Sequence, residues 1–267
     1  MSKPQVRAYT GATLIDGTGA RPVKDAVVLV KGDSIADAGS SVKVPKDAEV
    51  VNASGYTMLP GLIDSHVHIT SNGEANMLAA LNYSPGLVQL MGAANAAKTL
   101  EAGYTTIRDM GAPGGYALSL KQAIQMGIAR GPRIIACGTV IGQTGGHADF
   151  YLPSGVTFAG LSRIADGPDD CRKAAREQLR SGSDFLKICT SGGVMSPTDP
   201  VDTPQFTLAE IRAIVEEASA VGKTVASHCH GPTGIINAIV ARNDFWGRLV
   251  ACADVFVFIL FLVICFY

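Results

Sequence analysis

The sequence has no CxxC pair among its six cysteines (Cys137, Cys171, Cys189, Cys229, Cys252 and Cys265). Free thiols in a reducing compartment are therefore the default. It has no excess charge of either sign. With 22 Lys and Arg against 23 Asp and Glu, the net charge is −1, which removes the electrostatic ground for expecting nucleic acid or an anionic membrane surface as partner. The opening stretch MSKPQVRAYTGATLIDG has neither an apolar core nor a cleavage site, so no secretory signal is expected there and the cytoplasm is the expected location. There is no Gly- or Pro-rich tract either. The 30 glycines and 13 prolines are dispersed and read as punctuation between short elements rather than as disorder. One α/β domain of moderate size, with or without a small appendage, fits these bounds.

Nor is there a clear membrane span. Val255–Tyr267 is an unbroken apolar run of 13 residues, fewer than the ~20 that a spanning helix needs. Extending it back to Leu249 takes in Asp254. Three readings stay open for the run: translated intron or frameshifted sequence, a tail anchor, or a buried strand or helix. Residues 241–267 are set apart as an anomalous tail on this account.

Residues 5–56 alternate apolar and polar in short runs such as AVVLVKGDSIADAG, separated by Gly and Asp. That pattern predicts a small N-terminal β-sandwich portion over residues 1–58. After Pro60 the rhythm changes. Five apolar strands (GLIDSHVHIT, TTIRDMG, RIIACGTVI, DFLKICTSGG and TVASHCHG) alternate with four helical stretches, several of which end at Gly. Such alternation implies parallel strands with right-handed crossovers. The residues with chemical potential cluster at strand C-terminal ends, as in a (β/α)₈ TIM-type barrel, with a doubly wound sheet as the alternative. Residues 59–240 supply five of the eight strand–helix units, so the barrel is expected to be incomplete.

His66 and His68 lie at i and i+2 on a strand, which puts both imidazoles on one face, where they can share a metal. The plainer reading is two polar residues on a solvated face. The flanking Leu62, Ile63, Val67 and Ile69 predict a buried strand instead. His228 and His230 repeat the spacing in SHCHG, and two such pairs point to a transition metal such as zinc. Lys187 sits in the apolar strand DFLKIC, where a bare ammonium is costly. It either snorkels to the barrel mouth or carries its amine as a CO₂-derived carbamate. Arg108 and Asp109 read as a structural ion pair, with a catalytic role as the alternative, and Cys189 and Cys229 as core residues turned away from the site. SGGVMSPTDP is either a substrate-facing loop or a simple connection.

PGLIDSHVHIT, GYTTIRDMG, FLKICTSGGVMSP and VASHCHG, in that order, resemble the amidohydrolase superfamily. Within it they are similar to the branch that holds Xaa-Pro dipeptidases, imidazolonepropionase-like and ochratoxinase-like enzymes. The resemblance spans residues ~8 to ~239 and implies two divalent metals, zinc by expectation. His66 and His68 would bind the more buried metal, and carbamylated Lys187 would bridge both. His228 would bind the second metal, His230 would face the substrate in a catalytic role, and His147 would line the pocket. The implied reaction is hydrolysis of an amide C–N bond, in a dipeptide or N-acyl amino acid, by a metal-bridging hydroxide. A homo-oligomer is left open. The family's strand-six histidine and strand-eight aspartate have no counterpart here. All five histidines lie at or before position 230, and Asp199, Asp202, Asp244 and Asp254 occupy a loop or the tail. The expectation is thus a C-terminally truncated amidohydrolase of impaired activity, or a non-catalytic or tail-anchored fragment with weak metal binding.

Overall fold

The computed structural model describes residues 6–73, 81–149, 160–194, 199–243 and 249–252. The chain divides into two compact units, Met1–Leu62 and Ile63–Tyr267.

The first unit is a five-stranded sheet. Strands β1 (Val6–Leu14), β2 (Val23–Lys31), β3 (Ser34–Gly39) and β4 (Glu49–Asn52) run in the order β3-β2-β1-β4, and β5 (Thr57–Met58) also pairs with β1. Period-two alternation selects its core of Leu14, Ala26 and Val28. The β1–β2 register shifts between Thr10 and Ala12. Gly11 is required there: its φ is +85°, and a Cβ would lie 2.3 Å from Ser54 Oγ.

The second unit alternates strand and helix. Its elements are β6 (Leu62–Val67, which starts at the boundary), α1 (Pro85–Glu101), β7 (Tyr104–Asp109), α2 (Tyr116–Gln125), β8 (Arg133–Ala136) and β9 (Ile141–Gly142). They continue with β10 (Arg163–Ile164), α3 (Pro168–Arg180), β11 (Leu186–Cys189), α4 (Leu208–Ala220), β12 (Val225–His228), α5 (Pro232–Asn243) and β13 (Leu249–Cys252). They form one sheet in the order β6-β7-β8 and a second in the order β10-β9-β11-β12-β13. The β7–β8, β9–β10, β9–β11, β11–β12 and β12–β13 pairings are parallel. Leu186, Ile188 and Val225 pack with Ala174 and Ala175 of α3 and Ile211, Ile214 and Val215 of α4. The alternate positions Phe185 and Ala226 pack with Met110 and Cys137. The opposite face of β11–β12 therefore carries Lys187.

The five expected strands and four helices are present, with three differences. The stretch RIIACGTVI breaks into β8, which pairs with β7, and β9, which pairs with β11. Gly138, at φ +77°, makes the break. Leu62 and Ile63 are 42% and 69% exposed, so the first half of β6 is not buried as its apolar flanks predict, whereas Val67 and Ile69 pack with Ile107 and Leu120. Among the described residues β6 has a strand neighbour on one side only. In the tail, Leu249–Cys252 forms a strand parallel to β12, whereas residues 253–267 lie outside the described residues. No helix among the described residues is long and apolar enough to cross a membrane.

Candidate metal centre

His66 and His68 stand at the C-terminal end of β6 with ring centroids 5.5 Å apart, edge to face. The His68 Nδ1 is 2.8 Å from the Gly111 carbonyl oxygen. A carbonyl only accepts, so Nδ1 is the protonated nitrogen and the lone pair resides on Nε2. The ring borders a cleft of about 430 Å³ shared with Asp64, Ser71, Asn95 and Lys98, and so keeps contact with solvent on that side. Burial on its other sides pushes its pKa down. The Gly111 carbonyl and the Asp109 charge oppose that shift, while His66 and Lys187 add to it.

Asp109 is fully buried at the end of β7. Its Oδ2 accepts from the Ile69 N–H at 2.8 Å and its Oδ1 from the Gly111 N–H at 3.1 Å. Burial raises its pKa against the pull of those amides and of the two imidazoles. The expected Arg108–Asp109 ion pair is corrected accordingly. Adjacent strand residues face opposite ways; Arg108 donates to the Ser65 carbonyl at 2.9 Å and lies over the Phe185 ring.

Lys187 is 3% exposed. Its Nζ is buried and has no hydrogen-bond partner among the described residues. It pairs in register with Ala226, and Cys189 pairs with His228. Lys187, Cys189 and His228 consequently share one face of the sheet. That corrects the reading of Cys189, which lies two residues from Lys187 and so faces the same way. Cys229, next to His228, faces the other way.

The other histidines form their own group. His147 stacks on His228 at 4.1 Å, and His230 meets His228 edge-on at 4.6 Å. His228 Nε2 lies 3.2 Å from the Gly192 carbonyl oxygen, and Ser191 Oγ accepts the His230 N–H at 2.8 Å. The glycine pair in SGGV makes room for this: a Cβ on Gly193 would lie 2.1 Å from the His147 ring, and one on Gly192 would lie 2.2 Å from the Pro200 carbonyl oxygen. Residues 195–198 of that loop lie outside the described residues.

Sequence reasoning missed Gln205, which is 1% exposed. Its Oε1 accepts the His147 N–H at 3.0 Å and its Nε2 donates to Asp199 at 2.8 Å. The next residue, Phe206, is buried with φ +58°, a conformation that costs a bulky side chain about 1–3 kcal/mol. No periodicity marks Gln205; a glutamine flanked by Pro204 and Phe206 is the only hint.

The structure thus joins His66 to His68, sets Lys187 on the sheet face that carries His228, and gathers His147, His228 and His230. Among the described residues no three His, Cys, Asp or Glu side chains form a ready metal cage.

Residues 57–245 match the amidohydrolase family. The chain belongs to that family. Amidohydrolases of this family hydrolyse carbon–nitrogen bonds and generally bind divalent metals. The chain is 33% identical over 257 residues to an ochratoxinase from Aspergillus niger, covering 87% of this chain and 52% of that protein. The crystal structure of A. niger ochratoxinase is similar at TM-score 0.79 and 31% identity, covering 90% of this chain and 59% of that one. A Xaa-Pro dipeptidase with bound methionine in its active site is similar at TM-score 0.82 and 31% identity, covering 89% and 60%. The chain spans about half the length of the curated ochratoxinase it matches. Its residues fit a divalent ion: a His68 tautomer that leaves the lone pair on Nε2 and a second imidazole beside it are donors of the kind such an ion takes, and the buried Lys187 amine has no hydrogen-bond partner among the described residues.

Proposed function

We propose that this amidohydrolase chain carries the metal-holding side of a binuclear hydrolase that cleaves amide C–N bonds in dipeptides or N-acyl amino acids. The observation that carries the reading is Lys187. A buried amine with no hydrogen-bond partner is costly, and attack of its nitrogen on CO₂, with loss of a proton, turns it into a carboxylate-like carbamate. His66, His68 and the Lys187 carbamate would hold one ion, and the carbamate and His228 a second. Two bound divalent ions, zinc in our reading, supply an acidified water and polarise the scissile carbonyl. His147 and His230 would contact the substrate beside His228. The names of the similar proteins, ochratoxinase and Xaa-Pro dipeptidase, support an amide or dipeptide substrate. The four described free cysteines, all buried, support placement in the reducing cytoplasm.

A second reading, metal binding without turnover, is favoured by the placement of the two histidine pairs beside strands of two different sheets. Metal analysis of the purified chain, with dipeptide hydrolysis assayed in bicarbonate buffer, separates the two. Two ions per chain with turnover supports the hydrolase. One ion without turnover supports the second reading. An unchanged metal content in a His66→Ala/His68→Ala variant would sink both.

A further inference from the structure

We infer that Asp109 is a positioning residue for the first histidine pair: it grips the two backbone segments that flank His68, and through Gly111 it fixes which nitrogen of that imidazole is protonated. The inference rests on the reading of His68 as a metal ligand. One carboxylate oxygen takes the N–H of Ile69, the residue directly after His68. The other takes the N–H of Gly111, whose carbonyl is in turn 2.8 Å from His68 Nδ1. The Met110 N–H donates to the Val67 carbonyl at 2.8 Å, so the backbones on both sides of His68 are tied to the end of β7.

The design needs two acceptors on one short side chain. Asparagine offers one oxygen, and its amide would set a donor against a donor. Residue 111 has to be glycine as well: its φ is +140°, and a Cβ would lie 2.4 Å from Val140 Cγ2. Holding a buried carboxylate here to clamp two amides is expensive unless the position of His68 matters. Residues that orient a metal-binding histidine typically contribute 10–100-fold to metal affinity.

The test is nitrogen-15 NMR of the imidazoles in the labelled, metal-free full chain at pH 8, paired with zinc titration. In the wild type, His68 should show a protonated Nδ1. In Asp109→Asn that signature should disappear and zinc affinity should fall 10–100-fold. A folded Asp109→Asn chain that keeps both the signature and the affinity overturns the inference. So does a protonated Nε2 on His68 in the wild-type chain, a measurement that holds even if the variant fails to fold. Loss of the signature with unchanged zinc affinity upholds the Asp109 clamp and removes His68 from the metal site, so the inference and the functional reading fail separately.

Discussion

A buried amine without a hydrogen-bond partner makes a prediction opposite in sign to that for an ordinary core residue. In metal-free, CO₂-free buffer, Lys187→Met should raise stability by roughly 1–3 kcal/mol, because it removes a desolvated polar group and keeps the stem volume. The same variant should lose metal uptake. Urea denaturation and metal analysis of the two proteins check both halves, and a destabilised Lys187→Met would mean that the amine has a favourable role of its own. Gly193→Ala gives a second prediction at this scale. The added methyl, 2.1 Å from the His147 ring, should unstack His147 from His228, read as a changed ring-current shift of both imidazoles, with the fold retained. The two histidine pairs were legible because the i, i+2 spacing is local. Asp109 and Gln205 were not, because their partners Ile69 and His147 lie 40 and 58 residues away. No window of sequence contains such a bond.

Helices α3 and α4 show what sequence resolves at the level of elements and where it stops. Thr207 and Glu210 form a reciprocal capping box that starts α4, a signal present in the sequence. Glu210 also accepts the Gly167 N–H at 2.7 Å, just ahead of α3. Thr207→Ala should cost about 1 kcal/mol in urea denaturation. Glu217 is 16% exposed and is gripped by Arg176 and Arg172 at 2.8 Å each. The hydrogen bond from Arg176 foremost, with that from Arg172, holds its carboxyl below the usual glutamate range against the opposing effect of burial. Its folded pKa lies below its unfolded one, so its contribution is present above about pH 4.3 and is lost as pH falls through the folded value. Glu217→Gln should therefore lower stability by about 0.5–1 kcal/mol at pH 7 and leave it unchanged near pH 2; an equal loss at both pH values would refute the ion-pair account. The end of α2, at Gln125, is not marked by the apolar pattern. The apolar pattern runs on to Gly131, but Gly127 at φ +72° ends the helix and the Ile128 N–H folds back to the Ala123 carbonyl. The break between β8 and β9 was hidden in the same way, because Cys137–Val140 reads as apolar strand and only the change of partner strand reveals it.

At the scale of the whole molecule, the residues proposed to hold metal stand on two separate sheets. His66 and His68 belong to β6-β7-β8, whereas Lys187 and His228 belong to the sheet of β11 and β12. That partition was partly legible: strand–helix alternation placed each group at a strand's C-terminal end, but a division of the strands into two sheets has no signature in a one-dimensional pattern. An ion held by both groups would link the sheets and stabilise them together. A ligand that binds only the folded state contributes about 2.7 kcal/mol at one hundred times its dissociation constant. At roughly 2–4 °C per kcal/mol for a domain of this size, zinc should raise Tm by about 5–10 °C over the chelator-treated chain. Hydrogen exchange should slow in β6 and in β11 in the same titration. If exchange slows in β6 alone, the ion sits on the first histidine pair without Lys187. If the Tm shift survives in the His66→Ala/His68→Ala/Lys187→Met variant, the metal lies elsewhere, and the two sheets owe their association to packing alone.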